Sequence, residues 1–400
     1  MSTLKIGKFP LLQEQTGLVY LDNASTTQKP ERVIEALSQY YLHYNANVHR
    51  AVYKLAETST QAYEQGREKV ARFIGAASSR EIIFTKGTTE SLNLAAYTLC
   101  RRFLNEGDEV IVTQMDHHSN FVPWWLQAQD RHFTVKVWPI TPEGELDLAD
   151  LNRLWTDRVK IVSIPQISNV LGTINPVTDI AEVVHERGAL LVLDAAQSVG
   201  HGPFNVKQLG CDLAAFSGHK MYGPQGIGVL WGKEEILKQL PPYQGGGEMI
   251  SSVTEDLVTF NELPYKFEAG TPHVAGVVGL AAATDFLLEV GRDHIFQEEK
   301  EIARYGVLVL TSIPGLTLYG FAKERAPVFS FNIEGIHSHD LAQFLDSKGL
   351  AVRSGHHCAQ PLLRALGAGS AVRASLGIYN TKADIDLLAD ALEEAKRYFL

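Results

Sequence analysis

Short apolar runs rich in β-branched residues alternate with stretches of helical spacing through the middle of this chain. Four of the runs predict buried strands, at 81–84, 109–113, 159–164 and 189–194. The stretches 91–103 and 177–187 between them predict helices. This alternation indicates a mostly parallel sheet covered by helices on both faces. Because ligands of such sheets bind beyond the carboxyl ends of the strands, we expect the functional site there.

The C-terminal part has a different pattern. After a helix at 274–290, it predicts strands at 326–333 and 351–353, and helices at 338–348 and from Lys382 onward. We therefore expect a large α/β domain at 25–291 and a small α+β domain made of 1–24 and 292–400. A helix that begins near Pro30 precedes the large sheet, and its apolar stripe consists of Val33, Ile34, Leu37, Tyr41 and Tyr44.

Composition excludes several classes of function. The 400 residues are 45% hydrophobic and 20% charged, as in an ordinary globular protein. The net charge of −10 gives no basic field for nucleic acid and disfavours anionic membranes. We find no apolar run of the ~18 residues that a membrane helix needs, and residues 1–10 lack a signal-peptide core. Three distant cysteines, Cys100, Cys211 and Cys358, form no disulfide framework, so we expect a reducing cytoplasm.

Two residues at the ends of apolar runs suggest a pyridoxal-phosphate enzyme. Asp194 ends the run 191–194, and Lys220 follows Ser-Gly-His at 217–219. Taken alone, Asp194 fits a helix N-cap and Lys220 fits a surface cation. Pyridoxal-phosphate enzymes, however, need a lysine for the Schiff base and an acid beside the pyridinium nitrogen. The pair therefore favours this cofactor.

Lys86-Gly-Thr-Thr-Glu90 is a candidate phosphate site because it lies between a predicted strand and helix. Backbone N–H groups and the helix dipole favour an anion there, and Thr88 and Thr89 add hydroxyl donors. A plain capping box fits the same residues. The order of Gly and Lys excludes a Walker A loop.

His117 and His118 follow the strand that ends at Thr113. A flat imidazole at this position could cover a cofactor ring. A metal site formed by the pair is disfavoured, because adjacent residues on one strand point to opposite sides.

The segment 353–361 places Cys358 between Arg353, two histidines and a proline. Cationic neighbours and exposure favour the thiolate, which is the nucleophilic form of cysteine. A buried structural cysteine is the plainer interpretation, and a zinc site lacks a fourth ligand and regular spacing. Downstream, the guanidinium of Arg373 suits bidentate capture of a substrate carboxylate.

Ten short motifs follow one another in a familiar order over nearly the whole chain, at 20–30, 47–50, 87–90, 116–118, 168–172, 194–197, 217–220, 267–272, 353–358 and 373–376. Together they resemble the cysteine desulfurases, a group of class V aminotransferase-like pyridoxal-phosphate enzymes. The short Gly-His-His-Cys-Ala loop at 355–359 resembles the SUF-type (group II) branch, which overlaps with selenocysteine lyases.

The resemblance implies a fold-type I homodimer with a mostly parallel seven-stranded sheet in the large domain. It implies that Lys220 forms the Schiff base, Asp194 pairs with the pyridine nitrogen, His117 stacks on the ring and Gln197 contacts the ring hydroxyl. Thr89, Ser217 and His219 are implied to bind the phosphate beside Thr88, with Thr271 reaching in from the other protomer.

The same resemblance implies that Asn169 and Arg373 hold the substrate carboxylate. Cys358 is implied to accept sulfur from L-cysteine as a persulfide, with Arg353 nearby and L-alanine as the product. The expected partner is a SUF-system acceptor protein that supplies iron–sulfur cluster assembly, and L-selenocysteine or other C–S lyase chemistry is the alternative. Ser25 stands where the family often has Ala, and Ser354 where Thr or Ala is common; neither residue is expected to touch a position with a proposed chemical role.

Overall fold

The computed structural model describes residues 8–50 and 52–400. Its strands are β1 Val19–Tyr20, β2 Ile82–Thr85, β3 Glu109–Thr113, β4 Thr134–Trp138, β5 Val159–Pro165, β6 Leu190–Asp194, β7 Leu213–Ser217, β8 Gly228–Gly232, β9 Ile250–Val253, β10 Val258–Phe260, β11 Leu316–Tyr319, β12 Val328–Ile333, β13 Leu350–Ala351, β14 Arg353–Gly355 and β15 Ala371–Ser375. Its α-helices are α1 Pro10–Glu14, α2 Glu31–Gln39, α3 Lys54–Phe73, α4 Thr88–Phe103, α5 His118–Arg131, α6 Leu148–Leu154, α7 Val177–Glu186, α8 Val206–Leu209, α9 Glu234–Leu237, α10 Val274–Val290, α11 Arg292–Thr311, α12 Ser338–Ser347, α13 Gln360–Ala365 and α14 Lys382–Phe399.

A seven-stranded sheet in the order β2-β8-β7-β6-β5-β3-β4 forms the centre of the molecule. Strands β7, β6, β5, β3 and β4 are parallel, whereas β8 is antiparallel to both of its neighbours. Alternate residues of a strand point to opposite faces. Accordingly, Leu191 and Leu193 join the core on one face, and Val192 joins the core on the other. The predicted fold class is confirmed.

A second, four-stranded antiparallel sheet has the order β11-β12-β15-β14. Its core is separate from those of the large sheet and contains Phe329, Phe331 and Leu392. Strand β1 from the N-terminal arm pairs in parallel with β13. These features are consistent with the predicted division into a large domain, 25–291, and a small domain made of 1–24 and 292–400. Residues 1–7 of the small domain lie outside the described residues.

Two local predictions were wrong. The expected strand at 351–353 is interrupted, and two short strands, β13 and β14, occupy this region. The apolar stripe of the helix near Pro30 is also wrong in part, because Ile34 and Tyr41 are exposed. A π-helical turn at Tyr40–Tyr44 follows α2, and its wider winding brings Tyr40 into the core instead.

No single helix in residues 8–50 and 52–400 has both the length and the apolar character of a membrane span. Helices α10 and α11 pass that test only as a pair, bent by 73° at their break.

Candidate active site

An open cavity lies at the carboxyl ends of the parallel strands. It is lined by every predicted site residue except Thr271, namely Thr88, Thr89, His117, Asn169, Asp194, Gln197, Ser217, His219, Lys220, Arg353, Cys358 and Arg373. Strand ends bring these residues together: Asp194 closes β6, Ser217 closes β7, and Arg353 and Arg373 lie on β14 and β15. The cavity therefore lies between the large sheet and the four-stranded sheet.

Asp194 and Lys220 form the electrostatic centre of this cavity. Burial raises the pKa of Asp194, while an N–H from Ala196 at 2.9 Å and the charge of Lys220 act against that rise. Burial lowers the pKa of Lys220 to about 8, with Asp194 acting in the opposite direction. Within the described chain, the Lys220 ammonium has no hydrogen bond or ion pair at contact distance. It is thus a lysine whose neutral, nucleophilic form exists close to neutral pH.

The turn before α4 is built as an anion cradle. The Thr88 backbone N–H donates to Ser217 Oγ at 2.7 Å, and the two hydroxyls of Thr88 and Ser217 lie 2.6 Å apart. The N-cap residue of α4 is Gly87, which has no side chain of its own to cap the helix. Glu90 instead accepts the Lys86 N–H at 2.6 Å, which closes the turn from outside. The helix start is left with the partial positive charge that attracts phosphate.

His117 is held as a neutral imidazole. It caps α5 with its own ring, since Nδ1 accepts the Ser119 N–H at 3.1 Å and lies 2.8 Å from Ser119 Oγ. An Nδ1 that accepts leaves the ring proton on Nε2. Burial, and after it the charge of Lys220, lowers the pKa of His117 to about 3. The ring therefore presents an N–H donor, not a cation.

Pyridoxal phosphate fits the polar groups that this cavity leaves unpaired. Gln197 donates its amide N–H to the Ala24 carbonyl at 2.8 Å, but its buried Oε1 has no partner in the part of the chain that the structure describes. An oxygen in that state favours a hydroxyl donor such as the one on the cofactor ring. Asp194 offers a buried carboxylate for a protonated ring nitrogen, and Lys220 offers an amine for the aldehyde.

Hydrogen bonds with neighbouring elements fix the Cys358 loop. The Cys358 carbonyl accepts the His118 N–H at 2.7 Å, the His357 carbonyl accepts the Asn169 amide at 2.8 Å, and the Gln360 N–H donates to the His118 ring at 3.2 Å. His357 and Cys358 both have positive φ, 51° and 54°. Such angles cost non-glycine residues energy and persist where surrounding contacts impose them. The loop exposes the Cys358 side chain.

His357 contributes geometry, not charge, to this loop. Its Nε2 lies 2.9 Å from the Ala371 carbonyl, and burial lowers its pKa to about 3. The sequence interpretation counted it among the cationic neighbours of Cys358, and that part was wrong.

Arg373 is buried between both sheets. It donates to the Asn169 carbonyl at 2.9 Å and forms an ion pair with Asp22 at 3.2 Å. Its Nε is buried and has no hydrogen-bond partner among the described residues, so part of the guanidinium is free to receive a carboxylate. Ser25 also lines the cavity and accepts from both Arg373 and Arg353. The expectation that Ser25 lacks contact with any functional position is therefore wrong.

Thr271 lies apart from the other predicted residues. It lines a second cavity of the same chain, together with Lys86, Glu90 and Tyr243. Among the described residues of one chain, Thr271 therefore does not line the cavity that contains Lys220.

Sequence reasoning missed Ser25 and Ser119. Ser119 could have been found from its position two residues after His117, where a backbone N–H reaches a capping side chain. Nothing local marks the contacts of Ser25 with Arg353 and Arg373, since both arginines are more than 300 positions away.

Comparison with known proteins identifies the family of this chain. A family model described as "Aminotransferase class-V" matches residues 19–388. A probable cysteine desulfurase of Halalkalibacterium halodurans is 50% identical over 98% of this chain and 97% of that protein. A cysteine desulfurase of Yersinia pseudotuberculosis is 46% identical over 97% of both.

Solved structures extend the agreement to the fold. The Escherichia coli cysteine desulfurase CsdA superposes with a TM-score of 0.92 at 40% identity, over 100% of this chain and 99% of that one. A cysteine desulfurase of Thermococcus onnurineus NA1 gives 0.93 at 40% identity, over 97% and 96%. The chain therefore belongs to the class-V aminotransferase family, among the cysteine desulfurases.

Proposed function

We propose that this protein is a pyridoxal-phosphate-dependent cysteine desulfurase that converts L-cysteine to L-alanine and leaves the sulfur on Cys358 as a persulfide. The observation that carries the proposal is the convergence of Lys220, Asp194 and Cys358 on one cavity. A transaminase or a simple lyase needs the first two residues only, whereas an exposed cysteine in the same cavity adds a sulfur acceptor.

When bound, pyridoxal phosphate supplies an electron sink for negative charge at the substrate carbon. Thr88, Thr89, Ser217 and His219 are the proposed phosphate ligands. Asp194 holds the ring nitrogen protonated, because a positive charge on that nitrogen offsets the cost of burying the Asp194 carboxylate. Gln197 and the neutral His117 contact the ring. These residues are those of the cradle and the unpaired groups described above.

Lys220 is the proposed proton carrier. Its pKa of about 8 gives a useful fraction of free amine near neutrality, which suits a general base, and the conjugate ammonium can return the proton. Asn169 and Arg373 hold the substrate carboxylate. The unpaired Arg373 Nε supports this role.

Cys358 then acts as a thiolate on the substrate sulfur. A sulfur–sulfur bond forms as the carbon–sulfur bond breaks, and the bonding electron pair stays with the substrate carbon. That carbon takes up a proton to give alanine, and the persulfide remains on Cys358. The exposed side chain and the hydrogen bonds of its loop support a thiol that is fixed in place and still open to a partner.

The test is a visible spectrum of the purified protein followed by alanine and sulfide assays with L-cysteine. We expect a yellow protein that forms alanine and sulfide in equal amounts when a reductant is present. Lys220→Ala should lose both the native spectrum and the activity. A protein that takes up no pyridoxal phosphate, or that releases alanine without sulfur, would contradict the proposal.

We also propose that the enzyme works as a homodimer in which Thr271 completes the site of the partner. The position of Thr271 outside the cavity of its own chain supports this. So does the hairpin β9–β10, which exposes Val253, Leu257, Val258 and Phe260. A two-stranded hairpin with an exposed apolar surface is seldom stable alone and is typical of an interface.

Mixed dimers test this arrangement. In a homodimer of Lys220→Ala chains, both active sites lack the lysine. In a homodimer of Thr271→Ala chains, both active sites lack the threonine. A dimer of one chain of each kind contains one complete site if Thr271 acts across the interface. Activity in the mixture above that of both parents is expected; activity at the parental level would contradict it.

The proposed acceptor of sulfur is a SUF-type partner protein that supplies iron–sulfur cluster assembly. The short, hydrogen-bonded Cys358 loop supports transfer by a docked partner, since a fixed thiol needs the acceptor to come to it. An exposed thiol that must remain unpaired also supports a reducing cytoplasm as the place of work.

A further inference from the structure

Ser25 lies where three charged side chains meet at the edge of the active-site cavity. Its hydroxyl lies 2.7 Å from Asp22 Oδ1, to which it donates. It accepts from Arg373 Nη2 at 2.7 Å and from Arg353 Nη1 at 2.9 Å. A hydroxyl has one proton and two acceptor lone pairs. These contacts therefore use the full hydrogen-bonding capacity of Ser25.

The two arginines have an electrostatic reason to need this hydroxyl. Arg353 and Arg373 are direct cross-strand partners in the β14–β15 ladder. Like charges in that relation repel each other. Asp22 neutralises part of the charge through its ion pair with Arg373, but its oxygens have no hydrogen bond to Arg353. Ser25 links Arg353 to the same carboxylate by one intervening hydroxyl.

Orientation is the second consequence. Arg353 is exposed, and ordering a free arginine side chain costs rotamer entropy. Ser25 holds the Nη1 end of Arg353 and the Nη2 end of Arg373 at one point of the cavity wall. The buried Arg373 Nε is left without a partner in residues 8–50 and 52–400. A carboxylate entering this cavity meets two guanidinium groups that are already in place.

We propose that Ser25 is a positioning residue for the carboxylate of the substrate, which acts by fixing Arg353 and Arg373. The inference rests on the proposed function for the identity of the substrate. It adds to that function a hydroxyl on the segment before α2.

The experiment compares Ser25→Ala with Ser25→Thr, which keeps a hydroxyl. The visible spectrum of the holoenzyme is titrated with L-cysteine and separately with cysteamine, which has the same amine and thiol but no carboxylate. We expect Ser25→Ala to weaken L-cysteine binding roughly tenfold, the effect of losing hydrogen bonds to charged groups. Cysteamine binding should stay unchanged in Ser25→Ala, and Ser25→Thr should bind L-cysteine as the wild type does. In steady-state assays with L-cysteine, Ser25→Ala should raise KM and leave kcat nearly unaltered.

A second variant guards against a general structural effect. In an Arg353→Gln background, Ser25→Ala should cost less than it does in the wild type, because the two residues act through one contact. The proposal is overturned if Ser25→Ala binds L-cysteine as the wild type does, or if L-cysteine and cysteamine binding weaken in parallel. Both titrations need no turnover. A wild type that binds L-cysteine but does not release sulfur would contradict the proposed function alone.

Discussion

Gly228→Ala should weaken cofactor binding although it replaces none of the proposed cofactor ligands. Gly228 begins β8 and pairs with Thr85 on one side and Ser217 on the other. A Cβ at this position would lie 2.4 Å from Gly87 Cα, and 2.7 and 2.8 Å from its carbonyl carbon and nitrogen. Ordinary contact begins at 3.4 Å, so the backbone of Gly87 must move by 3.4 − 2.4 = 1.0 Å. The added Cβ and the Gly87 atoms that it meets are not movable side-chain atoms, so no change of rotamer can relieve the clash.

The displaced residue directly precedes the anion cradle. Thr88 follows Gly87, and its N–H bond to Ser217 is already 2.7 Å long. A misplacement of about 1 Å in an active site costs on the order of 100-fold in catalytic rate, and overpacking costs about 1–3 kcal/mol of folding stability. We expect the dissociation constant for pyridoxal phosphate to rise by roughly that factor, as the cradle loses its geometry.

The assay is a fluorescence titration of the cofactor-free protein with pyridoxal phosphate, beside a thermal unfolding curve. Gly369→Ala is the matched control, because a Cβ there meets no atom within 4 Å. If Gly228→Ala binds the cofactor as tightly as Gly369→Ala does, the phosphate does not sit at the start of α4 and the cradle is misassigned.

Three further outcomes follow from the site. Uptake of pyridoxal phosphate by the cofactor-free protein should accelerate as pH rises through about 8, because the pKa of Lys220 is lowered and its free amine is the nucleophile; a stopped-flow midpoint near the ordinary lysine value would contradict this. Arg373→Lys should weaken L-cysteine binding by about 2–5 kcal/mol through loss of the bidentate fork, as measured by spectral titration, and unchanged affinity would make Arg373 purely structural. Cys358→Ser should keep the cofactor spectrum and bind L-cysteine but lose sulfide formation in a colorimetric assay, and normal sulfide output would assign the nucleophile elsewhere.

The sequence predicted the strands around the site because each has a clear local signal. The runs at 109–113 and 159–164 are apolar and β-branched, and β3 and β5 occupy them with at most one residue of difference. The helix expected from Ser91 begins earlier, at Thr88. A helix start of polar residues has no apolar periodicity, and here Gly87 and the Glu90 contact set it.

Residues that act through distant contacts could not be predicted. Tyr41 was placed in an apolar stripe by a 3.6-residue period, but the π-turn changes that period and exposes it. His357 was taken as a cation because sequence shows its neighbours and not its burial. Ser25 contacts Arg353 across 328 positions, a separation over which a sequence pattern carries no geometric information.

The most direct test of the account is mass spectrometry of the wild-type enzyme after one turnover with L-cysteine in the absence of reductant and acceptor. Cys100 and Cys211 are buried, and burial raises the pKa of each thiol to about 12, so neither supplies a thiolate near neutral pH. We predict one added sulfur on the peptide that contains Cys358 and one equivalent of alanine. Added sulfur on Cys100 or Cys211, or alanine formed with no sulfur on the protein, would contradict the assignment of Cys358 as the sulfur acceptor.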